Sequence, residues 1–140
     1  MLALLLIAAG CSESDTGIRL DDAWAPPNPE IATTAAFFVS IQNRGAIDET
    51  LVNVATDACR ITELHMSSLT DGVMNMQQMK AGIEIPPATT VVLEPGGMHI
   101  MCIDKKREFS PDQEFELELE FLRADGTSHS ASITALVENR

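Results

Sequence analysis

A chain of 140 residues is the size of one domain, and 45% hydrophobic with 21% charged residues is the composition of a globular protein that buries a core. Nine basic against 21 acidic residues give a formal net charge of −12, which excludes recognition of nucleic acid or of an anionic membrane surface through a basic patch, because phosphate contacts need Lys and Arg. Such a surface favours solubility and attracts cations or a basic partner, an attraction that salt weakens.

Residues 1–10, MLALLLIAAG, form an apolar run too short to cross a bilayer as a helix and read as an export signal. The run ends in Ala8-Ala9-Gly10-Cys11, which resembles a bacterial lipobox. Cys11 is therefore expected to become the lipid-bearing N-terminus, with residues 1–11 outside the fold and residues 12–17 as a short polar tether. This places the protein in the periplasm or cell envelope, touching a membrane only through a lipid anchor. With Cys11 set aside, Cys59 and Cys102 are an even pair in an oxidising compartment; they suit a disulfide, but spacing alone does not bring them together.

The remainder reads as all-β. No stretch keeps a 3.6-residue apolar period over three turns, and short alternating runs recur between Pro, Gly, Asn and Asp. Strands are expected at 18–25, stopped by Pro26-Pro27-Asn28-Pro29, and at 35–43, with Phe37, Val39 and Ile41 on one face and a turn at Asn43-Arg44-Gly45. Strands at 49–56 and 60–65 follow, then a loop over 67–72 with the turn residues Asp71-Gly72, then strands at 73–79, 89–93 and 99–103. In residues 114–122, Phe115, Leu117, Leu119 and Phe121 alternate with glutamates, so one face is buried and the other wet. Asp125-Gly126 turns into a last strand at 128–137. Seven to nine short strands in a single domain over 18–137 predict a Greek-key β-sandwich or barrel. Trp24 is expected in the core and His129 on the surface.

Six of the seven methionines (Met66, Met74, Met76, Met79, Met98 and Met101) fall in the window 66–101, with His65 and His99 at its two ends. Methionines that fill core gaps scatter along a chain. Clustered thioethers beside imidazoles suit a soft ion, Cu(I) above all. In His99-Ile100-Met101, residues i and i+2 share a strand face about 7 Å apart, so His99 and Met101 point one way while Ile100 and Cys102 point to the core. Met74 and Met76 share a face by the same rule, and a hairpin across 67–72 brings His65 toward Met76. Thioether sulfur loses no proton on binding and imidazole need only be neutral, so binding persists into mild acid and weakens as the histidines protonate. Met66 faces away from His65 in a regular strand; Met79 and Met98 are further candidates. Taken singly, each residue reads more simply as a surface histidine or a core methionine, and the combination His-x10-Met with His-x-Met outweighs that reading.

From His65 to Met101 the chain closely resembles the periplasmic copper chaperones called PCuAC, whose hallmark is a His followed after ten residues by a Met, then a His-x-Met. Here these are His65, Met76, His99 and Met101. Gly72-Val73-Met74-Asn75-Met76, Ile83-Glu84-Ile85-Pro86, Leu93-Glu94-Pro95-Gly96-Gly97 and Asp22-Ala23-Trp24-Ala25 resemble that family's framework, and the likeness runs over about residues 18–137. One residue more than is usual in the family separates Met76 from His99. The resemblance implies a cupredoxin-like Greek-key barrel that binds copper as Cu(I) through those four residues, with Met66, Met74 and Met98 as possible additional soft groups. It implies a monomeric carrier, not an enzyme, whose acceptor is a cytochrome c oxidase subunit or a Sco-type protein. Copper storage or detoxification needs the same ligands and stays open. An electron-transfer cupredoxin needs a Cys ligand with two His and a weak Met, and a thiol–disulfide protein would use Cys59 and Cys102, which lack a Cys-x-x-Cys arrangement.

Overall fold

A computed structural model describes residues 17–140; the signal-like run, Cys11 and most of the tether lie outside the described residues. Ten strands form: β1 (Ile18–Ala25), β2 (Thr34–Asn43), β3 (Glu49–Ala55), β4 (Cys59–Thr70), β5 (Val73–Gln78), β6 (Ile83–Ile85), β7 (Thr89–Val92), β8 (Met98–Lys105), β9 (Glu114–Arg123) and β10 (Ser128–Val137). They hydrogen-bond in the order β5-β4-β8-β2-β1-β10-β9-β3-β6, and β7 pairs with β2. β1 and β10 run parallel; the other pairs are antiparallel. β2 joins the two layers. Its first half pairs with β8, and its second half pairs with β7 while β1 lies along its other edge. The all-β, cupredoxin-like expectation holds.

The core lies between the layers. β9 supplies Phe115, Leu117, Leu119 and Phe121, all buried, as its alternation requires. From the other layer come Phe37, Leu64, Ile100 and Cys102. Phe37, Phe109 and Phe115 form an aromatic cluster with centroids 4.6 to 6.0 Å apart, the offset and edge-on spacing that ring quadrupoles favour. Cys59 and Cys102 form a disulfide, with Cα atoms 5.4 Å apart and both residues buried, tying the start of β4 to β8. Closing a loop of that length contributes about 4 kcal/mol by restricting the unfolded chain. A bridged pair leaves neither sulfur free as a thiolate ligand, which removes the electron-transfer reading.

Three features differ from the sequence expectations. β4 runs on to Thr70, so residues 67–70 are strand and only Asp71-Gly72 turn the chain, both at positive φ. β6, of three residues, was too short to show a period. Trp24 is not a core residue. Register shifts between Asp21 and Trp24, where Asp22 adopts a φ of 55°, and one extra residue exchanges the faces of all that follows. Before the bulge Ile18 and Leu20 pack on the core; after it Ala23 and Ala25 do, and Trp24 turns outward onto Phe38 at 4.9 Å between centroids. Arg140 covers the indole at 4.6 Å and pairs with Asp22 and Glu138. That guanidinium holds the Asp22 carboxyl below the usual carboxylate range.

Gly82 closes the β5–β6 connection at a φ of 86°, where a Cβ would sit 2.4 Å from the Leu51 carbonyl oxygen. Gly72, at a φ of 78°, has open space around it. A left-handed conformation alone costs an L residue about 1–2 kcal/mol. Gly82→Ala is expected to lower the unfolding free energy by clearly more than about 2 kcal/mol, and Gly72→Ala by no more than the conformational cost, as read from chemical denaturation midpoints. Equal losses would mean that the β3 backbone yields at Gly82.

Candidate metal centre

The site is built on the β4–β8 ladder. His65 and His99 are direct cross-strand partners, with ring centroids 5.7 Å apart. They stand on the face away from the core, since their neighbours Leu64 and Ile100 point inward and are buried. The same transverse row continues through Phe38, 6.4 Å from His99, to Trp24, so two aromatic rings wall one side of the imidazole pair. On the other side, β5 places Gln78 directly opposite His65.

Each imidazole has one nitrogen engaged and one left over. His99 is 3% exposed, and its Nδ1 lies 3.1 Å from the Gly97 carbonyl oxygen. His65 Nε2 lies 2.7 Å from a carboxylate oxygen of Glu63. A carbonyl and a carboxylate can only accept, so both of those nitrogens donate and the tautomers are fixed. His99 Nε2 and His65 Nδ1 are then lone-pair nitrogens, and both are buried without a hydrogen-bond partner. Buried polar atoms are almost always satisfied. Two imidazoles on adjacent positions of one sheet face, each with a second nitrogen that no protein group engages, can hold a cation between them.

The thioethers flank this pair from opposite ends. Met101 follows His99 by two residues on the same face, partnered with Glu63 on β4 and with the small Ala36 on β2. Met76 pairs with Ser67, one row beyond His65 in the other direction, and is 58% exposed. Diagonal neighbours in a sheet are about 7–8 Å apart, within reach of a long side chain. Met74 shares that face but lies a row further out, opposite Leu69 at the hairpin tip. Met66 and Met98 pair with each other on the opposite face of the sheet. Met79 follows β5 and packs on the core edge. Sequence reasoning missed Glu63 and Gly97, the groups that orient the two imidazoles; the i, i+2 spacing of Glu63 and His65 belongs to no motif and gave no sign of the first, while Pro95-Gly96-Gly97 marked the turn that supplies the second. Among the described residues no group of three or more His, Cys, Asp or Glu is placed to hold a metal, so a zinc-type donor set is absent there.

The sheet order and the layers define an all-β, cupredoxin-like fold. Its fold is similar to the copper-bound PCuAC domain from PmoF2, with a TM-score of 0.71 at 21% identity over 89% of this chain and 94% of that one. It is also similar to CuI-DR1885 from Deinococcus radiodurans, solved in solution, with a TM-score of 0.63 at 22% identity over 84% of this chain and 75% of that one. The pattern of the LpqE-like family, described as "Putative lipoprotein LpqE-like", matches residues 18–133, and the chain belongs to that family. A curated relative, "Putative lipoprotein Lxx21020" of Leifsonia xyli subsp. xyli (strain CTCB07), is 27% identical over 94% of this chain and 83% of its own length.

His129 stands apart and, contrary to expectation, is not a surface residue. It stacks on Phe121 at 5.4 Å, and its Nε2 lies 2.9 Å from the carboxylate of Glu49, which is buried and also receives Arg123 Nε at 3.1 Å. This cluster joins β3, β9 and β10 and is a structural tie. His129→Ala leaves one oxygen of a buried carboxylate short of a partner and is expected to cost about 1–3 kcal/mol in a thermal or denaturant melt. The imidazole NMR signals of His65 and His99 should not move; their displacement would mean that the two regions are coupled.

Proposed function

We propose that the protein is an extracytoplasmic Cu(I) metallochaperone. His65, Met76, His99 and Met101 form the metal site, with Met74 at its outer rim. The observation that carries this reading is the cross-strand pair of His65 and His99, whose rings lie 5.7 Å apart, each with a buried and unpartnered nitrogen, between rows that hold Met101 and Met76. Neutral nitrogen and thioether sulfur are the donors that Cu(I) prefers. Glu63, bonded to His65, sets a negative charge one group away from the cation and fixes the orientation of its ligand. The copper bound in PmoF2 and the CuI form of DR1885 support the same reading.

The cargo then passes to an acceptor for cytochrome c oxidase assembly, either an oxidase subunit or a Sco-type protein. Met76 and Met74 are more than half exposed on an edge strand, so an incoming thiolate can enter the metal's coordination shell as a thioether leaves, and no buried charge is stranded during the exchange. A lipid on Cys11 would hold the carrier to the cell envelope. The buried disulfide suits an oxidising compartment of that kind.

The test is titration of Cu(I) against a chromogenic competitor. One tight equivalent is expected for the parent protein. Met101→Leu keeps the volume and removes the sulfur, and should weaken binding by about tenfold or more, 1.4 kcal/mol; His99→Ala should weaken it further. Glu63→Gln, which touches no metal, should cost about 10–100-fold through the orientation of His65. Parent-like affinity in both His99→Ala and Met101→Leu would refute the site.

A further inference from the structure

We infer that the opposite face of the same sheet carries a second soft-metal site, formed by Met66, Met98 and Met79, for a monovalent soft cation bound through thioether sulfur alone. The inference goes beyond the site of His65 and His99 and uses none of its ligands. It begins from register. His65 pairs with His99, and the next residues along, Met66 and Met98, pair with each other. Successive residues alternate faces, so the two imidazoles and the two thioethers stand back to back through one sheet. Cross-strand partners have Cβ atoms about 4.5–5.5 Å apart, and two methionines at that spacing can turn their sulfurs onto one ion.

Met79 supplies the third sulfur. As β5 ends, the Met79 N–H donates to the Leu64 carbonyl at 2.7 Å, which carries the β4–β5 ladder one residue further and sets Met79 diagonal to Met66 on the same face. Met66 and Met79 line one cavity of about 400 Å³ with Gln77, Gln78, Lys80 and Gly82. Met79 and Met98 both rest against the edge of the core, and all three methionines are half-buried. A methionine that merely fills a core gap closes over; here Met66 and Met79 border open space, and Met98 lies directly across the ladder from Met66. No carboxylate lines the cavity, and Lys80, its one cation, is exposed. The donors are therefore neutral and soft, which disfavours hard divalent ions and suits Cu(I) or Ag(I). Without an imidazole or a neighbouring carboxylate this site is the weaker of the two.

The experiment is a titration of the full chain with Ag(I), a redox-inert probe of the same softness, followed by the ¹³C-methyl signals of methionine and the imidazole signals of histidine. It is run in the parent and in His65→Ala/His99→Ala, which empties the imidazole face. In the double variant the Met66, Met79 and Met98 methyls should shift together and saturate with one equivalent. Met66→Leu/Met98→Leu should weaken that equivalent at least tenfold and leave the signals of His65, His99 and Met101 responding as in the parent. Leucine conserves volume at both positions, and the single change Met66→Leu serves if the double variant does not fold. Methyls that stay still, or that move only at large silver excess, would overturn the inference and leave the three methionines as packing. Failure of the imidazole site would show separately, as unresponsive His65 and His99 signals in the parent.

Discussion

The pairing of β4 with β8 governs what this domain can present. From Cys59 opposite Lys105 to Met66 opposite Met98 the two strands hold one register. A slip of a single residue would turn every side chain to the other face, sending His65 into the core and Leu64 out of it. Leu64 and Ile100 resist that exchange because both are buried partners. The Cys59–Cys102 bridge, the Arg60–Asp104 ion pair at 2.6 Å and the Ser67 N–H bonded to the Gly97 carbonyl fix the same ladder at different points. The imidazole pair is thus located by forces on the opposite face of the sheet. Apolar burial and one covalent bond set the geometry of a polar site.

Burial falls from one end of the site to the other. β8 lies between β2 and β4, and His99 is almost wholly enclosed there. β5 is the last strand on its side of the sheet, and all six of its residues are exposed. Edge strands usually carry charge or proline against unwanted pairing; β5, reading Val-Met-Asn-Met-Gln-Gln, has neither. A strand held on one side only opens more easily than one held on both. For the proposed carrier this asymmetry is useful, since donors anchored in the sheet would keep an ion in place while those on the edge strand would be the first to let go.

Much of this was legible in the sequence. Strict alternation from Phe115 to Phe121 gave β9, and His99-Ile100-Met101 showed which two side chains share a face, because both patterns are local. What escaped was set by distant pairing. The bulge that turns Trp24 outward depends on the register of β1 against β2. The extension of β4 through Ser68, Leu69 and Thr70, which show no alternation, exists because β5 bonds to it. Phe109 lies in no named strand and reaches the core through a bridge to Asn28. His129 looked solitary because its partners Glu49 and Phe121 lie on other strands. The role of Glu63 follows only once His65 is known to face the same side.

The bulge in β1 has an optical consequence. The chain contains one tryptophan and no tyrosine, so its ultraviolet emission arises from a single indole. By exchanging the faces of β1, the extra residue moves that indole out of the core and onto the wall of the imidazole pair, one phenyl ring away from His99. The domain thereby carries an intrinsic fluorophore at the margin of the proposed site, where quenching or a spectral shift would report occupancy without any added label.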